Sequence, residues 1–237
     1  PMLDAVKQIP EGDVLLLHAC CHNPTGMDAT VAQWGRIAAL VAERKLLPLL
    51  DFAYHGFGNG LNEDAAGVRL ACAACPEALV ANSFSKNFGL YNERAGALTA
   101  VCSSPTAAAA VLSQMKIVIR RNYSNPPSHG AAIVTEVLND PRLRAEWEQE
   151  LAAVRGRIRE MRRLLVETLD AHGLDFSFIN AQNGMYSYSG LSREHVQILR
   201  DRYSIYMVGS GRINVAGISR ANRQKIYTIC ILYEQKN

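Results

Sequence analysis

Four short apolar runs mark the first hundred residues, and the stretches between them alternate between helical periodicity and turns. Val14-Leu15-Leu16-Leu17-His18 is continuous and apolar, as a strand buried on both faces would be. Leu46-Leu47-Pro48-Leu49-Leu50 is a second buried run, ending in Asp51. Ala78 to Asn82 is a third, and Ala95-Gly96-Ala97-Leu98-Thr99-Ala100-Val101 a fourth. Between the first two, residues 29–44 place Val31, Trp34, Ile37, Ala38 and Val41 on one helical face. Residues 64–75 also read as helix. Strand, helix, strand, helix, strand predicts an α/β fold, a mostly parallel sheet with covering helices.

Beyond Pro105 the pattern changes. Residues 105–120 and 128–138 read as helices, broken by Asn125-Pro126-Pro127-Ser128, with Ser128 as an N-cap. From Pro141 to His172 runs one long charged helix, with Leu143, Trp147, Leu151, Val154, Ile158, Met161, Leu165 and Leu169 recurring at steps of three and four. His172-Gly173 is its stop signal. Short strands follow at 176–179, 185–188 and 213–215, with helices at about 192–203 and 219–233. The expected organisation is therefore a large domain over 1–139, a bridging helix over 140–172 and a smaller α+β C-terminal domain over 173–237.

Composition excludes more than it assigns. With 237 residues, 49% hydrophobic and 20% charged, the chain has an ordinary globular balance. A net charge of +3 without a basic run or aromatic-basic interleaving argues against a nucleic-acid partner. No apolar run approaches the roughly 20 residues of a membrane helix. The six cysteines do not form a disulfide framework. They read as free thiols of a reducing compartment, with Cys72 and Cys75 as partly buried helix residues and no second pair to complete a metal site.

In open α/β sheets ligands sit beyond the carboxyl ends of the strands, and the polar residues gather there. His22-Asn23-Pro24-Thr25-Gly26 follows the first strand, Asp51, Phe52, Ala53 and Tyr54 the second, and Ser83, Ser85 and Lys86 the third. Pyridoxal phosphate needs this inventory. An amine condenses with its aldehyde, and a carboxylate keeps its ring nitrogen protonated. Donors such as Asn23 and Tyr54 suit its ring oxygen, and hydroxyls with a cation (Ser83, Ser85, Arg94) suit its phosphate. Singly, these residues have plainer readings: Lys86 a solvated charge, Asp51 an N-cap, Asn23 to Gly26 a turn, Arg212 an ion-pair arginine. Their co-occurrence favours the cofactor.

The chain resembles the class I aminotransferases of the aspartate and aromatic type, pyridoxal-phosphate enzymes of fold type I. Six segments carry the resemblance, in the family's order: 22–26 (HNPTG), 51–57 (DFAYHGF), 83–94 (SFSKNFGLYNER), 120–127 (RRNYSNPP), 183–188 (NGMYSY) and 210–217 (SGRINVAG). The resemblance implies that Lys86 is the Schiff-base lysine and then the proton shuttle, and that Asp51 pairs with the pyridinium nitrogen. It implies that Asn23 and Tyr54 hold the ring oxygen and that Ser83, Ser85 and Arg94 hold the phosphate. Arg212 would clamp the substrate α-carboxylate, with Asn23 beside it, and Arg120 rather than Arg121 would reach a distal carboxylate across a homodimer interface. The Asn23-Pro24 peptide is expected to be cis. His22 and His55 flank the site without assigned chemistry.

The implied reaction is ping-pong transamination between an amino acid (aspartate, glutamate or aromatic) and a 2-oxo acid. Alternatives are a lyase or decarboxylase reaction on the same cofactor, or a catalytically silent truncated chain. Family members are much longer. By resemblance residues 1–12 correspond to a region well inside such an enzyme, so the chain is expected to be a C-terminal portion, inactive alone. Free cysteines point to the cytoplasm, with a mitochondrial presequence still open for any preceding segment.

Overall fold

A computed structural model describes residues 1–219 and 221. The expected helix at 219–233 lies outside the described residues but for 219 and 221 at its start. The chain divides into two compact units, Pro1–Cys20 with Ala29–Leu151, and Cys21–Asp28 with Ala152–Asn237.

The first unit holds helix α1 (Met2–Val6), strand β1 (Val14–His18), α2 (Val31–Glu43), β2 (Leu47–Phe52), α3 (Leu61–Asp64), α4 (Ala66–Ala74), β3 (Ala78–Ser83), β4 (Gly96–Val101), α5 (Pro105–Tyr123) and α6 (His129–Asn139). The sheet order is β1-β2-β3-β4, with β1, β2 and β3 parallel and β4 antiparallel to β3. This is the mostly parallel sheet that the apolar runs predict. Helix α2 starts on a capping box, in which Thr30 Oγ1 accepts from Gln33 N and Gln33 accepts from Thr30 N. Its apolar face (Trp34, Ile37, Ala38, Val41) is buried, as the periodicity requires.

Two details here differ from the sequence reading. Val14 and Leu16 in β1 are 56% and 59% exposed. Strand β1 is an edge of this sheet, and among the described residues nothing covers the face that carries them. Ser128 precedes α6 but has helical backbone angles, and its hydroxyl makes no cap bond. Ser104, in extended geometry, does cap α5 through Ala107 N at 3.1 Å.

Helix α7 (Pro141–Asp170) is 30 residues long, and the division between the two units falls within it. Asp140 Oδ1 accepts from Arg142 N (2.8 Å) and Leu143 N (2.9 Å) at its start. At its end Gly173 takes φ +75°, and Leu174 N returns to Leu169 O at 3.1 Å, a left-handed stop that favours glycine. Leu151, Ile158, Met161, Leu165 and Leu169 are buried as expected, whereas Val154 is 45% exposed.

The second unit continues with a two-stranded antiparallel ribbon, β5 (Tyr186–Tyr188) and β6 (Arg212–Asn214), and helix α8 (Arg193–Tyr203). The expected strand at 176–179 is instead a 3-10 turn, Ser177–Ala181. The Asp175 carboxylate accepts from Ser177 N at 2.9 Å and tightens the chain there. Leu191, Val196, Leu199 and Ile205 close a small core around α8.

Candidate active site

In the first unit, β2 and β3 run parallel and so deliver their carboxyl ends to one edge of the sheet. Asp51 lies near the end of β2, in register with Ala81 of β3 and His18 of β1. By the alternation of a strand it faces away from buried Leu50 and Phe52. Its Oδ1 accepts from Ala53 N at 3.1 Å, which turns the chain toward Tyr54. Strand β3 ends at Ser83, whose Oγ accepts from Ser85 N at 3.2 Å. Lys86 follows in the turn, with its Nζ 4.5 Å from the centroid of the Tyr54 ring. The aromatic face steadies the ammonium and holds it at the strand end.

That turn is braced from outside. Asn87 Nδ2 donates to His55 O at 3.3 Å, and Trp147 Nε1 donates to Asn87 O at 2.7 Å. Phe88 stacks on Trp147 at 4.6 Å. Trp147 reads in sequence only as one member of the α7 stripe, yet it holds the residue next to Lys86. His55 bonds Leu61 O at 2.8 Å through Nε2 and stacks on Phe52, a packing role. Asp64, 6% exposed, collects the backbone N–H groups of Gly56, Gly58, Asn59 and Gly60 on one carboxylate. The loop after Tyr54 is thereby fixed by a residue that carries no sequence signal of its own.

Arg94 sits in the turn before β4, exposed, at φ +52°. Its Nη1 donates to Tyr91 O at 3.0 Å. The donor set of this unit fits pyridoxal phosphate chemically: one amine, one carboxylate on the neighbouring strand, a phenol, two hydroxyls and a guanidinium. Arg120 and Arg121 are exposed in the last turn of α5. No described contact joins Arg120 to Lys86.

Asn23 and Arg212 lie together in the second unit. The Asn23-Pro24 peptide is cis. Asp28 accepts from Cys21 N (2.9 Å) and His22 N (3.0 Å) and closes the turn that carries Asn23, while His22 Nδ1 pairs with Thr25 Oγ1 at 2.7 Å. Arg212 Nη1 donates to Asn23 Oδ1 at 2.9 Å, and its guanidinium lies 4.5 Å over the Tyr186 ring. One edge on an amide and one face on an aromatic orient the planar fork. Its remaining N–H donors suit a bidentate carboxylate. Tyr186 as the stacking partner was not legible in sequence, although its place in the 183–188 segment was the available signal.

The family model described as "Aminotransferase class I and II" matches residues 1–228. The chain is 56% identical over 223 residues to an aspartate aminotransferase of Haemophilus influenzae, covering 93% of this chain and 56% of that protein. It is 48% identical over 235 residues to an aromatic-amino-acid aminotransferase of Pseudomonas aeruginosa, covering 97% of this chain and 59% of the relative. Among solved structures, an aromatic-amino-acid aminotransferase of Burkholderia pseudomallei, covalently bound to pyridoxal phosphate, superimposes with a TM-score of 0.94 at 52% identity, over 98% of this chain and 58% of that one. The chain thus spans little more than half the length of the relatives it matches.

Proposed function

The chain belongs to the class I and II aminotransferase family, and from this premise we propose that the protein it comes from transfers amino groups between an amino acid and a 2-oxo acid with pyridoxal phosphate. Bound there, the cofactor supplies an aldehyde for an amine to attack and a protonated ring that withdraws electrons from the substrate α-carbon. The residues of this chain do the rest. Lys86 would hold the cofactor and would carry the α-carbon proton on its Nζ. The Asp51 carboxylate keeps the ring nitrogen protonated. Asn23 and Tyr54 bind the ring oxygen, and Ser83, Ser85 and Arg94 bind the phosphate. Arg212 binds the α-carboxylate, a task for a planar fork rather than a point charge.

The observation that carries this reading is the Lys86 amine held over Tyr54 at the end of β3, one strand from Asp51. We read Arg120 as the group for a distal substrate carboxylate, which favours aspartate and glutamate with aromatic amino acids next, and as one that acts across a homodimer. Residues 1–139 are read as the later part of the cofactor-binding domain, 140–172 as the bridging helix and 173–237 as the small domain. Among the described residues Cys20, Cys21, Cys72, Cys75 and Cys102 form no disulfide; we read the setting as reducing and cytoplasmic. Among the described residues no helix is long and apolar enough to cross a membrane.

The test is borohydride reduction of the whole cofactor-loaded protein, followed by peptide mapping. The pyridoxyl label is expected on Lys86, and Lys86→Ala should abolish both label and turnover. A label elsewhere, or no amino transfer that depends on an added 2-oxo acid, refutes the proposal.

A further inference from the structure

Among the described residues of the second unit, Arg162 is the most deeply buried charged side chain. It lies in α7 between Ile158 and Leu165, inside the buried stripe, and is 3% exposed. A cation at such a site is costly unless its donors are satisfied. Its partners are carbonyls and a hydroxyl rather than a carboxylate. Nη2 donates to Gly184 O at 2.6 Å and to Tyr186 O at 3.3 Å, and Nη1 donates to the buried hydroxyl of Ser187 and to Ile179 O at 3.5 Å. Burial pulls the guanidinium from its ordinary value down to about 10, so it remains charged at neutral pH.

The segment it grips, residues 184–187, sets both sides of Arg212. Tyr186 is the ring under the Arg212 guanidinium, and Tyr188 is the register partner of Arg212 across the ribbon. The Asn23 turn rests on the same segment. Asn183 N donates to Gly26 O at 2.7 Å, Asn183 Nδ2 reaches Asp28 at 3.3 Å, and Gly184 packs so closely on Cys21 that a Cβ there would lie 2.4 Å from Cys21 Cβ. The Tyr186 ring is therefore borne by chain that Arg162 anchors, and the turn that carries Asn23 Oδ1 packs on that same chain. A ribbon of three residues per strand has little ladder of its own to fix that aim.

We propose that Arg162 is a positioning residue for the substrate-carboxylate site, presetting the direction of the Arg212 fork through Tyr186 and the Asn23 turn. The inference rests on the transamination reading above. A displacement of about 1 Å at such a clamp is worth up to roughly a hundred-fold in rate or affinity.

The experiment uses the whole cofactor-loaded protein with Arg162→Met and Arg162→Lys. It reads KM and kcat for the amino donor, the Kd of succinate (two carboxylates, no amine) and the label on Lys86. Both variants should raise KM and the succinate Kd by about ten-fold or more, with labelling of Lys86 unchanged. Lys keeps the charge but has no planar fork to span the four acceptors. Succinate Kd and KM within about two-fold of the parent in Arg162→Met, whatever its Tm, overturn the proposal, as does full rescue by Arg162→Lys. If Arg162→Met does not fold, Ser187→Ala decides: a weaker succinate complex supports the proposal and an unchanged one overturns it. A parent protein without label or amino transfer would instead refute the transamination reading.

Discussion

Asp64→Asn isolates a single buried carboxylate. One oxygen accepts from Gly56 N and Gly58 N, both at 2.9 Å, and the other from Asn59 N at 2.7 Å and Gly60 N at 3.4 Å. An asparagine is the same size but keeps one acceptor oxygen. Its NH2 group would face two of these backbone donors, whose bonds to the side chain would be lost. Removing one partner of a buried hydrogen bond costs about 1–3 kcal/mol, so two such losses cost about 2–6 kcal/mol, with a central value near 4. Whole-protein stabilities are of order 5–15 kcal/mol, so the loss is a large fraction. The effect should be local first, because the loop leads from Tyr54 and His55, whose carbonyl holds Asn87 beside Lys86. Hydrogen exchange is the direct assay. The amides of Gly56, Gly58, Asn59 and Gly60 should lose protection in Asp64→Asn, and the urea midpoint should fall with an unchanged slope. Unchanged protection at these four amides, or a stability loss below about 1 kcal/mol, would refute the reasoning.

Two further outcomes follow from single contacts. Gly67→Ala places a methyl 2.4 Å from Trp34 Cε2, where α4 meets α2. Overpacking of this kind costs about 1–3 kcal/mol, which exceeds what alanine gains for the helix near its first turn. A lower Tm is expected, and an equal or higher one would show that Trp34 moves freely. Asp140 is held below its ordinary carboxyl value of 3.8, first by the Leu143 N–H and then by Arg142. A lowered folded pKa stabilises above the unfolded value, and that contribution is lost as pH falls through the lowered one. Asp140→Asn should therefore lower Tm at pH 7, with the gap closing toward pH 3; an equal gap at both pH values would sink this account.

Much of the architecture is legible in the amino-acid sequence because it is local. The apolar runs give β1 to β4, and the three-four stripes give α2 and α7. Ser83-Phe84-Ser85-Lys86 sets a lysine just past a strand. These features rest on periodicity, turn chemistry and side-chain reach, which a few neighbouring residues decide. What the sequence cannot show is which partners arrive from far along the chain. Val14, Leu16 and Val154 fit the apolar pattern and are exposed, because coverage depends on what packs above a strand or helix rather than on its own periodicity. Arg162 reads as one more charge in a charged helix, although its place between Ile158 and Leu165 was a signal of burial. Asp64 and Trp147 reach the Tyr54 loop and the Lys86 turn only once the chain is folded. Sequence by itself determined the strand ends, the lysine and the family's motifs. Tertiary structure alone decided what holds them: a buried carboxylate on four amides, an indole on Asn87 and a buried guanidinium beneath Tyr186. Each is a polar group whose burial is affordable only where distant backbone satisfies it.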